Sequence, residues 1–337
     1  MAKMKRVEKP GKAESALLRQ SGSNNKAEAE AALKEMAEAI TLPLRQGMLN
    51  GDILNGIFEP ILLDQNATSE FPLDFLSPGT EKEFVAFTMP NHGYIPQRNV
   101  EGDYVQVPVY PIGNAIDWNL RYARDARWDV ISRAIEVLKA GFVKKLNDDG
   151  FQTVITAGVD RNIVVFDSDA SAGQFTKRLI SLGKTVMRRN GGGNSTSINR
   201  GKLTDVAISP EALEDIRNWN VDQVDEITRR EIFVADGDNA LTRIFGVNLI
   251  DIDELGEGQE YQDFYTTELA QSMPATDVEI AIGLDLSKND SFVMPIREEL
   301  QVFEDLSLHR SQRAGYYGWS EQGFASLDNR RVLIMSL

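Results

Sequence analysis

Side chains that could do acid–base or metal chemistry are few in this sequence and stand far apart. The chain has two histidines, His92 and His309, and no cysteine. Thiolate catalysis, disulfides and cysteine-ligated metal are therefore excluded. His92 falls in a predicted loop and His309 precedes a predicted strand, and an isolated histidine is more often a surface or structural residue than a ligand or general base. We predict no histidine-based site.

Two short motifs resemble binding loops but lack required residues. Gly183-Lys184-Thr185 resembles the end of a phosphate-binding loop, yet the position that needs the first glycine is Arg178, and the tripeptide falls inside a predicted helix. The segment 251–262 imitates a calcium-binding loop, but its fifth and twelfth positions are Leu255 and Gln262. The sequence therefore predicts no catalytic, cofactor-binding or metal-binding residues, and no cofactor.

The charge of the chain is strongly acidic and unevenly distributed. The formal net charge is −15, although the first twenty residues are basic. An acidic body repels phosphate backbones, so we do not expect a dedicated DNA-binding module. A protein surface that does not bind DNA would still let DNA slide along it. No apolar run reaches the length of about 18 residues that a membrane span needs, so we expect no membrane partner.

The N-terminal part of the chain has one strong helix signal between two irregular stretches. Residues 1–25 are polar and rich in glycine, serine and asparagine, which is typical of a mobile arm. The stretch from Lys26 to Ile40 predicts a helix, with Leu33 and Met36 on its apolar stripe. Residues 42–78 are apolar in patches and contain four prolines. Their apolar side chains need cover, either from their own domain or from a neighbouring copy.

A hairpin and a long helix follow. Glu83–Met89 and Tyr104–Tyr110 are strand candidates joined by a turn-rich loop, and an isolated hairpin of this kind needs a partner surface. From Asn119 to Asn147, apolar residues recur at spacings of three and four, which predicts a rigid helical strut about 37 Å long. Asp148-Asp149-Gly150 is the predicted end of this helix.

The remainder, residues 151–337, mixes strands and helices without a regular βαβ repeat, which indicates an α+β domain. The helix candidates are Ala172–Arg189 and Glu211–Trp219, the second with Pro210 at its start. The strand candidates are Thr153–Ala157, Ile163–Phe166, Leu203–Ile208, Gly246–Ile252, Val278–Leu284, Ser291–Pro295, Leu300–Asp305 and Arg331–Met335.

This order of elements resembles the Hong Kong 97-type coat proteins of tailed bacteriophages. Leu203–Ala212 looks like the strand-then-helix step of their axial domain. Ile244–Ile250 looks like a recurrent element of the family in which a glycine and a valine lead into a strand. The stretch from Gly315 to Leu333 looks like their closing hairpin. The likeness covers roughly residues 80–337.

The resemblance implies an α+β fold with five parts. They are an N-terminal arm at 1–80 with a helix at about 26–40, an extended β-hairpin loop at 81–113, a peripheral domain with a spine helix at 114–150, an axial domain at 151–285, and C-terminal strands at 286–337 that return to the peripheral domain. The resemblance also implies contacts between copies. The contact candidates are Leu33 and Met36 in the arm, Phe84, Phe87, Tyr94, Arg98, Tyr104, Val107 and Tyr110 in the hairpin region, and Arg121, Arg124 and Arg127 at the start of the strut.

The function implied by the resemblance is that of a major capsid protein, not an enzyme. Many copies would form the hexamers and pentamers of an icosahedral head that encloses double-stranded DNA, with portal and scaffolding or decoration proteins as further partners. Assembly would take place in the host cytoplasm and the product would be the virion. Two alternatives stay open: an encapsulin-type nanocompartment shell, which shares the fold but encloses enzymes, and a cytosolic α+β enzyme.

Overall fold

The computed structural model describes residues 20–21, 27–37, 41, 53–64, 67–72, 104–125, 128–190, 201–219, 243–273, 278–287 and 291–337. Contacts divide the chain into two compact units. The first unit comprises Met1–Ser69, Val107–Asp149 and Met294–Phe324. The second comprises Glu70–Gln106, Gly150–Val293 and Ala325–Leu337.

Helices and strands alternate along the described part of the chain. The helices are α1 (27–37), α2 (Leu120–Arg124), α3 (Trp128–Asp160), α4 (Lys177–Asn190), α5 (Pro210–Asn218) and α6 (Glu260–Asp263). The strands are β1 (Glu59–Leu62), β2 (Glu70–Pro72), β3 (Tyr104–Gln106), β4 (Tyr110–Asn119), β5 (Val164–Phe166), β6 (Asp205–Ile208), β7 (Arg243–Ile244), β8 (Val247–Asp251), β9 (Ile280–Leu284), β10 (Phe292–Glu304), β11 (Arg313–Gln322), β12 (Ala325–Ser326) and β13 (Val332–Ser336). Short turns of 3₁₀-helix lie at Ile53–Gly56, Leu306–Ser311 and Asn329–Arg331, and a π-helical turn at Phe264–Glu268 follows α6.

The first unit is built on an antiparallel sheet in the order β1-β10-β11-β4. Burial alternates along β4 and β11, as expected for a sheet with one covered face. Trp118 and Tyr316 are buried on the inner face, with their ring centroids 5.2 Å apart. Helix α3 covers this face, because Asn114 on β4 donates a hydrogen bond of 3.4 Å to the carbonyl of Leu138.

Helix α3 is longer than the sequence predicts and begins later. It starts at Trp128, because the residues up to Asn119 form strand β4, which pairs with β11 from Tyr110 to Asn119. It does not end at Asp148-Asp149-Gly150. Lys144 and Lys145 form ion pairs with the two aspartates one turn later, at 3.4 and 2.7 Å, so these carboxylates support the helix.

Beyond Gly150, the buried side chains of Phe151, Val154 and Ile155 continue the apolar stripe, and the helix runs on to Asp160. The predicted strand Thr153–Ala157 is therefore wrong, since those residues are helical. Residues of α3 belong to both units. No helix in the described ranges is long and apolar enough to cross a membrane.

The second unit is built on a mixed sheet in the order β5-β13-β9-β6-β8-β7. Every residue of its central strands β6, β9 and β13 is buried, so both faces of the sheet are covered. Leu333 and Met335 join the core formed with α4 and α5. On the other face, a side chain at Gly158 of α3 would come within 2.7 Å of Ile334. The sheet therefore lies between α4 and α5 on one side and α3 on the other.

The start of α5 follows the sequence signal closely. Ser209 is the N-cap residue, and its hydroxyl accepts a hydrogen bond of 3.1 Å from the backbone N–H of Ala212. Pro210 occupies the first helical turn, where its missing N–H costs nothing. The predicted strand-then-helix step over 203–212 is confirmed.

The C-terminal strands do not form the closing hairpin that the sequence suggests. Strand β11 pairs with β10 and β4 in the first unit, whereas β13 pairs with β9 and β5 in the second. Strand β13 therefore does not return to the sheet of the first unit. The two separate strands predicted over 291–305 are one irregular strand, β10, with register shifts between Ile296 and Gln301.

Candidate functional site

The apolar stripe of α1 is covered by the chain itself. Leu33 is 1% exposed and Met36 is 6% exposed, so these two contact candidates are already buried without a neighbouring copy. Phe58 in the following irregular segment is also buried and packs edge-on against Phe324, with the ring centroids 5.2 Å apart. Of the two interpretations of this segment, the structure favours cover from its own unit for these residues. Leu62 is the exception, since 68% of it is exposed.

Strands β2 and β3 form a separate antiparallel ribbon. Phe71 lies opposite Val105, and Pro72 lies opposite Tyr104. Tyr104 is 66% exposed. The predicted hairpin pairs Tyr104–Tyr110 with Glu83–Met89, but the described partner of β3 is β2. Residues 83–89 lie outside the described ranges, as do the contact candidates Phe84, Phe87, Tyr94, Arg98 and Arg127.

Val107 and Tyr110 are engaged within the first unit. The N–H of Val107 donates to the carbonyl of Ser69 at 2.9 Å, its carbonyl accepts from the Ser69 hydroxyl at 2.5 Å, and its side chain is buried. The Tyr110 hydroxyl donates to Asp149 at 3.0 Å. Burial, with a smaller contribution from the Asp149 carboxylate, raises the pKa of Tyr110 above its ordinary value. The structure assigns both candidates an intrachain role.

The contact candidates Arg121 and Arg124, which were predicted at the start of the long helix, lie in the short helix α2 instead. Arg121 is exposed and lies 3.8 Å from Asp125, a surface ion pair worth at most about 1 kcal/mol. Arg124 ends α2, and its side chain lies outside what the structure describes. Arg121 thus remains free to exchange Asp125 for a carboxylate on another molecule.

The outer face of the first unit's sheet carries an aromatic pair that the sequence analysis missed. Phe303 on β10 lies opposite Tyr317 on β11, and their rings stack with centroids 5.6 Å apart. Both remain more than one-third exposed. The Arg313–Asp117 ion pair, at 3.0 Å, lies on the same face. The signal was the alternation of large residues over 313–322, since one face of an alternating strand is left for solvent or a partner.

The inner face of the same sheet holds a poorly satisfied polar group. Glu304 Oε2 and the Tyr316 hydroxyl are buried without a hydrogen-bond partner in the described part of the chain. Burial raises the pKa of Glu304, Glu30 on α1 raises it further, and Lys34 on α1 opposes the shift. Burying these two polar atoms without a described hydrogen-bond partner is unfavourable.

A cleft in the second unit lies between the start of α4 and the end of α5. Its volume is about 300 Å³. The polar groups that line it are used in holding the fold. Asp215 accepts from the N–H of Phe175 at 2.9 Å, the Trp219 indole donates to the Phe175 carbonyl at 3.1 Å, and Thr176 donates to Asp167 at 2.8 Å. The cleft therefore offers little reactive chemistry.

The two segments that resemble a phosphate-binding loop and a calcium-binding loop both lie in the described part of the chain. Gly183-Lys184-Thr185 lies in the interior of α4, where the Lys184 ammonium donates to the carbonyl of Phe245. Within the ranges that the structure describes, no three carboxylate or histidine side chains are grouped to hold a metal ion.

The chain is similar in structure to proteins of several phages. A chain of Microbacterium phage Oxtober96 superimposes with a TM-score of 0.56 at 11% identity, over 84% of this chain and 90% of that one. A chain of the bacteriophage PhiM1 mature capsid gives 0.51 at 12% identity, over 85% and 87%. One from the capsid of cyanophage P-SCSP1u gives 0.50 at 11% identity, over 85% and 88%. No protein-family model and no curated protein matches the sequence.

The chain therefore has the α+β fold of tailed-phage capsid subunits, the Hong Kong 97 type. The prediction of this fold from the order of elements is confirmed. At this level of identity the likeness establishes the fold alone, because one fold can carry unrelated functions.

Proposed function

We propose that this protein is the major capsid protein of a tailed bacteriophage, a subunit that acts by assembling with copies of itself. The observation that carries the proposal is the extent of the structural likeness, which spans 84% of this chain and 90% of the Oxtober96 chain. Because both units take part, the likeness is to a whole subunit and not to one common motif.

The surface chemistry supports an assembling subunit. The Phe303–Tyr317 pair and Tyr104 are large aromatic side chains left at the surface. Aromatic residues of this kind are enriched where protein surfaces meet. In a shell, each contact repeats many times, so modest energy per contact gives a stable particle. We propose hexamers and pentamers of an icosahedral head as the product.

The acidic body suits a container for double-stranded DNA. With a net charge of −15, the wall would repel the polymer rather than bind it, and DNA could then move in and out. Portal and scaffolding or decoration proteins are the partners we propose beside the chain itself. Assembly in the host cytoplasm and a final place in the virion follow from the same proposal.

Two alternatives differ in what they predict. A nanocompartment shell would share the fold and form closed particles, but these would hold enzymes and no DNA. An enzyme would remain a small oligomer and needs a reactive pocket. The enzyme is the weaker alternative, because the polar groups of the described cleft are already hydrogen-bonded within the fold.

Electron microscopy and sedimentation of the purified protein, expressed alone and with a co-expressed scaffolding protein, test the proposal. We expect closed particles in the megadalton range. A matched pair of variants adds a control: Tyr317→Asp should reduce particle yield, whereas Thr267→Asp, at an exposed position of the second unit, should not. A folded protein that stays monomeric or dimeric under both conditions would contradict a shell role.

A further inference from the structure

Strand β5 is an exposed edge of the second unit's sheet. It ends the strand order, and no described strand pairs with its outer side. Val165 points into the core, while Val164 and Phe166 point to the opposite face and are 37% and 45% exposed. Unpaired edges that carry apolar side chains readily bind another chain. This edge has no described proline or bulge to protect it.

The opposite edge of the sheet presents a single exposed aromatic ring. It lies five strand spacings away, about 24 Å. Phe245 occupies the turn between β7 and β8 with φ +49°, a conformation that is unfavourable for a bulky residue, and is 45% exposed. Asparagine would suit this turn better. The ring rests on Trp219, which stacks on Phe175, with centroids 6.5 and 6.4 Å apart. Packing thus holds the ring at the surface against the backbone preference.

An exposed carboxylate lies near one edge and an exposed arginine near the other. Near Phe245 are Arg243, which is exposed, and Lys184. Near β5 are the exposed carboxylates of Asp160 and Asp169, the latter shared with Arg178. Asp160 is the last residue of α3, where the helix dipole disfavours a negative charge. Its placement is unfavourable within the chain but suits a cationic partner.

The faces are complementary as well. Val164 and Phe166 lie on the α3 side of the sheet, whereas Phe245 lies on the α4 and α5 side through its contact with Trp219. Because the two patches lie on opposite edges and opposite faces of the sheet, one edge of a copy can overlap the other edge of the next copy. A contact between two different patches is head-to-tail and closes into a ring when the rotation between copies allows it, while a contact of one patch with itself stops at a dimer.

We propose that the two edges of this sheet meet between neighbouring copies, with Val164 and Phe166 of one copy against Phe245 of the next and Asp160 facing Arg243. The inference rests on the proposed shell role and assigns the ring contact within it to particular residues. The partner is therefore a second copy of this chain.

Cysteine cross-linking tests the contact without background, because the chain has no cysteine of its own. The double variant Asp160→Cys/Arg243→Cys keeps Val164, Phe166 and Phe245 and places one thiol on each edge, at two positions that are proposed to face each other. After oxidation of assembled particles with a mild disulfide-forming reagent, denaturing electrophoresis should show a ladder of covalent species that ends at five or six copies.

Three controls separate the head-to-tail contact from other contacts. Each single-cysteine variant can give dimers at most. The pair Asp160→Cys/Thr267→Cys keeps the same number of thiols and should give no ladder. Independently, Asp160→Arg should lower particle yield about tenfold because it places two cations against each other, and Arg243→Asp added to it should restore the yield.

The outcomes distinguish the inference from the shell role. A ladder, or rescue by the charge exchange, supports the contact. Particles that form normally but give neither a ladder nor a rescue overturn it and leave the shell role in place. If the unmodified chain forms no particles, the shell role fails and the inference fails with it.

Discussion

The two sheets of this protein differ in how much of their surface the chain itself covers. In the second unit, β6, β9 and β13 are buried at every residue, and helices lie on both faces. In the first unit, β4 and β11 alternate between buried and exposed residues, and one face keeps Phe303 and Tyr317 at the surface.

This difference in cover determines which part of each sheet can contact another molecule. A sheet that is covered on both faces has only its edges left for other molecules, so we place its contact with neighbours at β5 and at the β7–β8 turn. A sheet with an open face can bind a partner broadly across its strands. Stability should therefore be most sensitive to substitution inside the second unit, and assembly to substitution on the outer face of the first.

The largest effect on stability is expected from Asp285→Ala in the second unit. Asp285 is fully buried and bonded to Arg331, which is nearly as buried, and it also accepts from the backbone N–H of Lys202 at 2.8 Å. Its removal leaves a buried guanidinium without its main partner, which costs about 3–5 kcal/mol. Urea unfolding, monitored by circular dichroism, measures this loss.

The matched control lies in the first unit. Arg313→Ala removes the ion pair with Asp117, in which both side chains are well exposed, and should cost less than about 1 kcal/mol. Equal losses in the two variants would mean that the two units do not differ in the way their burial indicates.

A smaller loss is expected from Gly315→Ala on β11. A Cβ atom there would overlap the Ile116 carbonyl oxygen of the paired strand and would lie 2.9 Å from Leu308 Cδ1. The backbone oxygen cannot move without disturbing the pairing of β11 with β4, so we expect a loss of about 1–3 kcal/mol in thermal or urea unfolding.

Gly113→Ala is the control on the neighbouring strand. Its Cβ would have ordinary contacts, 3.5 Å to the Gly318 carbonyl oxygen and 3.8 Å to Trp319 Cβ. Because alanine also restricts the unfolded chain, this variant should be neutral or slightly stabilised. A loss at Gly113 as large as that at Gly315 would count against the register of this sheet.

The smallest effect is expected from Glu304→Gln, and it should depend on pH. The pKa of Glu304 is raised in the folded state, chiefly by burial, so the folded protein binds this proton more tightly than the unfolded chain does. Its stability contribution is present below the unfolded pKa and is lost as pH rises through the folded pKa. Glutamine should therefore raise Tm at pH 7 by a few degrees and leave it unchanged near pH 4.

The exposed Glu299 on the same strand provides the comparison for differential scanning calorimetry. Glu299→Gln removes the same charge from an exposed side chain, so it controls for the change in net charge. If both variants responded alike, the change would reflect net charge and not the buried position of Glu304.

Sequence patterns predicted an element correctly where the pattern lies within that element. The apolar stripe of α1, the Ser209-Pro210 start of α5 and the strands β5, β6, β8 and β9 all lie within the predicted segments. The predicted end of helix α3 at Gly150 is wrong, since the helix continues to Asp160. The flanking aspartates are paired with lysines one turn earlier, and buried residues continue on the same helical face beyond the glycine.

The contact residues could be predicted less well than the fold. Leu33, Met36 and Val107 are apolar and were assigned to an interface, but the chain buries them itself. Phe303, Tyr317, Phe166 and Phe245 are equally apolar and stay exposed. Apolar character alone does not separate the two groups, so the packing of distant elements is needed to distinguish them.

The sequence by itself determined the type and order of most of the described elements, because helical and strand periodicities are properties of short stretches. The tertiary structure decided the partners of the strands. Strand β11 pairs with β4, about two hundred residues earlier, while β13, only ten residues after β11, lies in the other sheet. An alternating strand has the same pattern whichever strand it bonds to, so its register and its covered face are set only when the chain has folded.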